Sequence, residues 1–179
     1  ESSGLISALG RWVAERAIRD CANWHAQGFT EVSVSINVSP VQFRCSQLPS
    51  HVHDLLCDTG LPAASLELEL TESLLIDDGV DIRQQLDEMS RQGVGLAIDD
   101  FGTGYSNISY LNRFCAQRLK IDKSFILPLA DPDADIRLVR AMLMIADSLG
   151  FKVVAEGVEN EVCRKRLQQL GCTEGQGYL

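Results

Sequence analysis

Apolar residues in LELEL (66–70) fall on every second position, whereas in LVRAMLMIADSLG (138–150) a series such as Leu138, Met142, Ile145 and Leu149 returns every third or fourth within a longer apolar run. The first spacing suits a strand, whose side chains alternate between faces, and the second suits one face of a helix. The two patterns take turns along the chain. Strand-like runs are VSVSINV (32–38), LELEL (66–70), VGLAID (94–99), RLKID (118–122), KVVAE (152–156) and a short EGQGYL (174–179). Amphipathic stretches of helical length separate them, and another, LISALGRWVAERAIRDCANW (5–24), opens the chain.

Glycine punctuates the pattern. Gly28, Gly60, Gly93, Gly150 and Gly171 each close a helical stretch a few residues before a strand-like one. A glycine just past a helix takes up the left-handed cap conformation without a Cβ penalty. Ser39-Pro40 marks a helix start, with Ser as the cap and Pro in the first turn. Strict alternation predicts parallel strands joined by crossover helices. An open doubly wound sheet and a closed barrel both satisfy it. No G-x-G-x-x-G follows the first run, where the chain reads INVSPVQF (36–43).

Polar residues at the strand ends favour the barrel. Asn37 closes the first run, Glu69 with Thr71 and Glu72 the second, and Asp99 with Asp100 the third. Lys120 and Asp122 close the fourth, Glu156 the fifth, and Gln176 lies in the sixth. In a barrel of eight βα units, functional groups come from the C-terminal ends of several strands and meet on one face. The expected fold is therefore α/β, a TIM-like (β/α)8 barrel. Such a barrel has eight strands in ~250 residues. With six legible, residues 1–179 read as an N-terminally truncated domain with roughly two strands upstream of Glu1.

Composition narrows the function. A formal charge of −9 disfavours nonspecific binding to DNA or acidic lipid, so no DNA binding is expected. A phosphate substrate would need metal ions or a local cationic spot. No run of 18 apolar residues is present, and no signal peptide is visible at the start. The cysteines at 21, 45, 57, 115, 163 and 172 show no C-x-x-C spacing and read as reduced, mostly buried thiols of a cytoplasmic domain. His51 and His53, two apart, cannot share a metal from one helix. Trp12 and Trp24 are expected in the core or against a neighbour.

The sharpest chemistry lies in AIDDFGTGYS (97–106). Two adjacent carboxylates repel, and burying either unpaired is expensive. Neighbours on a regular strand face opposite ways, so both converge only if the strand ends there and the chain turns at Gly102-Thr103-Gly104. Asn37, Glu69, Asp99 and Asp100 make an all-oxygen set suited to Mg²⁺ or Mn²⁺. Two such ions sharing Asp99 would turn repulsion into attraction and suit in-line displacement at a phosphodiester. Lys120 is then a holder of water or phosphoryl oxygens, and Glu156 a proton acceptor or further metal contact. The Gly-Thr-Gly turn reads either as a phosphate cradle or as a lid hinge.

NVSPVQF, LELELTES, AIDDFGTGYSN, LKIDKSF, VVAEGVEN and EGQGYL, in this order and spacing, resemble the EAL domain family of bacterial cyclic di-GMP phosphodiesterases. The resemblance runs from Gly4 to Leu179. It implies a TIM-like barrel that linearises cyclic di-GMP to 5′-pGpG with two Mg²⁺ or Mn²⁺ ions. By it, Asn37, Glu69 and Asp99 match the ligands of one ion, and Asp99 and Asp100 those of the second. Lys120 matches the lysine that positions the hydrolytic water, with Glu156 beside it. Glu159 and Gln176 match positions of the cleft, where Asp122 is placed with them. Glu72 matches the anchor of the loop Phe101 to Ser106, tied in the family to dimerisation and metal binding. The Glu-Ala-Leu motif itself, with a metal-binding glutamate and a substrate-binding arginine just after it, belongs roughly 30 residues before Glu1. Asn107 and Asn160 are small deviations.

The resemblance also implies a homodimer with cyclase-like or sensor domains elsewhere in the protein. The domain is expected in the cytoplasm, with anchorage to the inner membrane left to another part of the protein. Two other readings compete. One is an inactive EAL-type domain that senses cyclic di-GMP or recruits a partner. Such domains usually lose the aspartate pair or the lysine, and this chain keeps both. The other is an unrelated Mg²⁺ barrel of the aldolase or enolase kind, with a reactive lysine.

Overall fold

The computed structural model describes residues 5–44, 48–72, 74, 80–104, 111 and 114–179. Helices and strands alternate along the described residues, except that β3 and β4 follow one another across a stretch lying mostly outside them. The chain runs through α1 (Leu5–Ala26), β1 (Val34–Asn37), α2 (Pro40–Arg44), α3 (Leu48–Thr59), a 3₁₀ turn at Ala63–Ser65 and β2 (Leu66–Thr71). It continues with α4 (Val80–Arg91), β3 (Gly95–Phe101), β4 (Arg118–Ile121), α5 (Lys123–Ile126) and a second 3₁₀ turn at Leu127–Ala130. Then come α6 (Arg137–Ser148), β5 (Lys152–Glu156), α7 (Glu161–Gln169) and β6 (Glu174–Gln176). All six expected strands are present; the last ends at Gln176 rather than Leu179. Two compact units share these elements: Glu1–Leu70 with Leu74–Leu96 and Arg113–Cys115, and Thr71–Ser73 with Ala97–Asn112 and Ala116–Leu179.

In the first unit, α1 buries Ala14, Ile18 and Cys21, the i, i+4, i+7 positions of one helix face. That stripe packs with α2, α3 and β1, and Phe43 and Val52 are fully enclosed beneath it. The tryptophans do not join this core: Trp12 is 61% exposed and Trp24 41%. Trp12 lies two residues before Ala14, about 200° around the helix from it. β1 and β2 run parallel with Val34 opposite Leu66 and Asn37 opposite Glu69. Leu68 and Leu70 are buried on one face of β2, and Glu69 is buried on the other, as expected for a strand covered on both sides. Ser39 and Gln42 form a capping box at α2: the Gln42 Oε1 accepts from the Ser39 N–H at 2.9 Å, and Ser39 Oγ accepts from the Val41 N–H at 3.4 Å.

In the second unit, β4, β5 and β6 are parallel neighbours, with Lys120 opposite Val154 and Glu156 opposite Gln176. The apolar interior includes Ile98, Leu119, Ile121, Ile126, Ala146 and Ala155. Asn160 caps α7 by accepting from the Cys163 N–H at 2.9 Å, so the deviation at 160 keeps a good capping residue. Arg166 of α7 donates to the carbonyls of Leu129, Asp131 and Ala134, pinning the connection that leads into α6.

The five punctuating glycines all have positive φ, from +68° to +98°. Four share one double bond pattern, seen at Gly150: its N–H donates to Asp147 O at 3.0 Å, and the Phe151 N–H donates to Ala146 O at 2.9 Å. This is the Schellman closure, which satisfies carbonyls that the helix end leaves open.

Candidate active site

β3 reaches Asp99 as an ordinary strand and then departs from one. Ile98 stands opposite Leu119 on β4, but Phe101 stands opposite Ile121. Three steps along β3 thus match two along β4, which is the count of a β-bulge. The bulge falls at Asp100, whose φ is +54°, the one positive value off glycine among the described residues. Aspartate tolerates this left-handed region better than most residues do. The aspartates therefore converge by a different route from the one expected. The strand does not end at Asp99; it runs through Phe101, and the extra residue turns the second carboxylate.

Asp99, Asp100 and Glu156 each offer a carboxylate oxygen within 4.8 Å of the others. Lys120, the next strand's contribution, is almost wholly buried. Its Nζ lies 2.7 Å from Glu156 Oε1 and 3.1 Å from Asp99 Oδ1. The contact with Asp99 is ionic and lacks hydrogen-bond direction, and the buried Oδ1 accepts no directed bond among the described residues. Three carboxylates thus face one ammonium. That surplus of negative charge on hard oxygen donors fits a divalent cation of the Mg²⁺ or Mn²⁺ kind.

Burial, and then the charges of Asp99 and Asp122, push the Asp100 carboxyl above its usual range despite Lys120 and Lys123 nearby. A carboxyl raised on folding favours the folded state only at low pH, where it is protonated. That contribution is lost as pH rises through the raised value. Asp100→Asn removes the repulsion and keeps a residue at ease with positive φ. In chelator at neutral pH, the variant should melt above the parent. Melting curves should converge below about pH 4, where the carboxyl is neutral in both folded and unfolded chains.

Past the bulge, the Gly102 N–H donates to Glu72 Oε2 at 3.2 Å. Glu72 is buried, and its carboxylate also lies where a side chain at Gly104 would begin, 3.4 Å away. Thr103 closes the turn by donating N–H and Oγ1–H to Asp100 O. Gly102 has φ +98°, and a Cβ there would stand 2.5 Å from Met142 Cε and 2.9 Å from Phe125 Cε2. Left-handed strain and overpacking together should make Gly102→Ala destabilising by about 2–5 kcal/mol, read by urea melts. The rest of the expected loop, Tyr105 and Ser106, lies outside the described residues, as do Asn107 and Cys45.

The other expected residues fall out as follows. In the first unit Asn37, the last residue of β1, is the register partner of Glu69, two residues before the end of β2. In the second, Asp122 is the cap of α5: its Oδ1 accepts from Ser124 N–H at 2.9 Å and from Ser124 Oγ–H at 2.5 Å. These bonds hold its carboxyl below the usual range. Its side chain is thus committed to a helix start. Gln176 is exposed opposite Glu156 on β6, and Glu159 is exposed in the turn after β5. Sequence reasoning missed Phe125 and Met142, which floor the turn at Gly102. Their apolar spacing marks them only as inward-facing and says nothing of what they face.

The whole chain, residues 1–179, matches the family model described as the EAL domain. Bifunctional diguanylate cyclase/cyclic di-GMP phosphodiesterase MucR of Pseudomonas aeruginosa is 40% identical over 179 residues, 100% of this chain and 26% of that protein. Among solved structures, the PaMucR phosphodiesterase in complex with c-di-GMP is 40% identical with a TM-score of 0.92, over 99% of this chain and 72% of that one. The EAL domain of Mycobacterium smegmatis DcpA is also 40% identical, with a TM-score of 0.90 over 97% and 78%. The chain spans only 21% to 26% of the length of such curated relatives.

Proposed function

The chain belongs to the EAL domain family, and on that premise we propose that it is the catalytic domain of a phosphodiesterase that hydrolyses cyclic di-GMP to linear 5′-pGpG. The observation that carries this reading is the bulge at Asp100, which sets two aspartates and Glu156 around one buried lysine. Strain and like-charge crowding of this kind persist where function requires them. Asp99, Asp100 and Glu156 would hold Mg²⁺ or Mn²⁺. Asn37 and Glu69 keep the ligand role that the motif resemblance gives them. When bound, two such ions neutralise charge on the phosphate and make water more acidic.

The chain's own residues do the rest. Lys120, fixed between Asp99 and Glu156, orients the attacking water and the phosphoryl oxygen. Glu156 accepts the proton as the water oxygen bonds to phosphorus. The bond from phosphorus to the ribose 3′ oxygen breaks, and that oxygen takes a proton from solvent. Glu159 and Gln176 line the way to the guanine dinucleotide, and Glu72 fixes the turn that carries the aspartates. The full-length protein is a homodimer with further domains on this reading. No helix among the described residues is long and apolar enough to cross a membrane, so membrane anchorage would fall to another part of the protein.

A sensor that binds without cutting would share the fold, but the intact aspartate pair and Lys120 favour the enzyme. The test is incubation of the full-length protein with cyclic di-GMP in Mg²⁺ and then Mn²⁺, with nucleotides separated by chromatography. Formation of pGpG is expected. Tight binding with no product in either metal would make the domain a sensor.

A further inference from the structure

Besides the acidic cluster, the chain has a second group of metal-type donors, on α3. His53 and Cys57 are one helical turn apart, and His53 Nε2 lies 3.6 Å from Cys57 Sγ. Residues at i and i+4 are surface neighbours on a helix, and both side chains are exposed. A tetrahedral zinc ion binds nitrogen at about 2.0–2.1 Å and sulfur at about 2.3 Å. The nitrogen–sulfur edge of such a tetrahedron is about 3.6 Å, the separation already present. The geometry that lets a proton sit between sulfur and nitrogen lets a cation replace it.

The other described cysteines are differently placed. Cys21, Cys163 and Cys172 are buried and face backbone carbonyls. Cys115 is exposed, but its Sγ donates to Asp87 Oδ1 at 3.4 Å. Burial, and then that carboxylate, push its thiol above the usual range. Cys57 has an imidazole beside it, and imidazole and thiolate together select softer ions than the all-oxygen cluster does.

We propose that His53 and Cys57 form a surface site for a divalent cation of the zinc class. Binding displaces the Cys57 thiol proton and leaves the remaining coordination positions to water. The site is separate from the Mg²⁺ or Mn²⁺ centre and does not depend on the phosphodiesterase reading.

Cobalt(II) is the probe, titrated into the reduced protein held in saturating Mg²⁺ so that the carboxylates are occupied. A thiolate-to-cobalt charge-transfer band in the near ultraviolet should grow to one equivalent, with release of one proton, and zinc should bleach it. Cys57→Ser should abolish the band. Outer-shell partners alone are worth roughly ten- to a hundredfold in metal affinity, so His53→Gln, which removes a ligand, should weaken binding at least that much. Both residues are exposed, and circular dichroism should report an unchanged fold. The site is overturned if no band forms at millimolar cobalt, if the band survives Cys57→Ser, if His53→Gln leaves affinity unchanged, or if zinc fails to displace cobalt.

Discussion

Asp99→Asn in the full-length protein should lower cyclic di-GMP turnover by about a thousandfold or more while the fold survives. The magnitude follows from the several kcal/mol that metal ions supply to a phosphoryl transition state. Asp99 is buried at the end of the regular part of β3, and its Oδ1 has an ionic contact but no directed hydrogen bond among the described residues. Asparagine fills the same volume and removes the charge that a cation needs. Lys120 keeps its 2.7 Å partner Glu156, so the ammonium is not stranded and the melting temperature in chelator should change little. Turnover in manganese and a melting curve in chelator check both halves. Turnover within a factor of a few of the parent would sink the shared-aspartate reading.

Lys120→Met should have the opposite profile in chelator. The lysine side chain is 5% exposed, and its partners Asp99 and Glu156 are 12% and 18% exposed. Removing one member of a buried ionic group leaves its partners uncompensated, and such losses run to about 3–5 kcal/mol. A loss of about 3 kcal/mol lowers the melting temperature of a chain this size by about 6–12 °C. Mg²⁺ or Mn²⁺ should restore part of it, because a cation bound by the same carboxylates supplies the missing positive charge. The metal-induced rise in melting temperature should therefore exceed that of the parent, even though turnover falls about a hundredfold or more without the group that positions water. A variant that melts with the parent in chelator would show that Lys120 is not the counter-charge that lets the acids be buried.

Local patterning carried far. The alternation in LELEL placed β2 to the residue at its start, and the glycines at 93, 150 and 171 placed three helix ends with their cap geometry. These features depend on neighbours within a few positions, which the sequence displays directly. What it hid depends on pairing. Nothing in AIDDFG marks Asp100 as a bulge, because a bulge exists only relative to the partner strand. The polarity of Asp122 placed it near the cleft, yet its side chain is taken by Ser124, two residues on. An Asp-x-Ser after a strand is also a helix-start signature, and that local signal was available. The His53–Cys57 pair was equally readable as H-x-x-x-C on a helix. A search confined to C-x-x-C and paired histidines passes over it.

The count of three steps on β3 against two on β4 has a genetic meaning. The added residue is Asp100, a single codon. A strand without it would pair regularly, present one inward carboxylate and pass for any other core strand. By that measure the acidic pair stands one in-frame insertion away from a regularly paired strand.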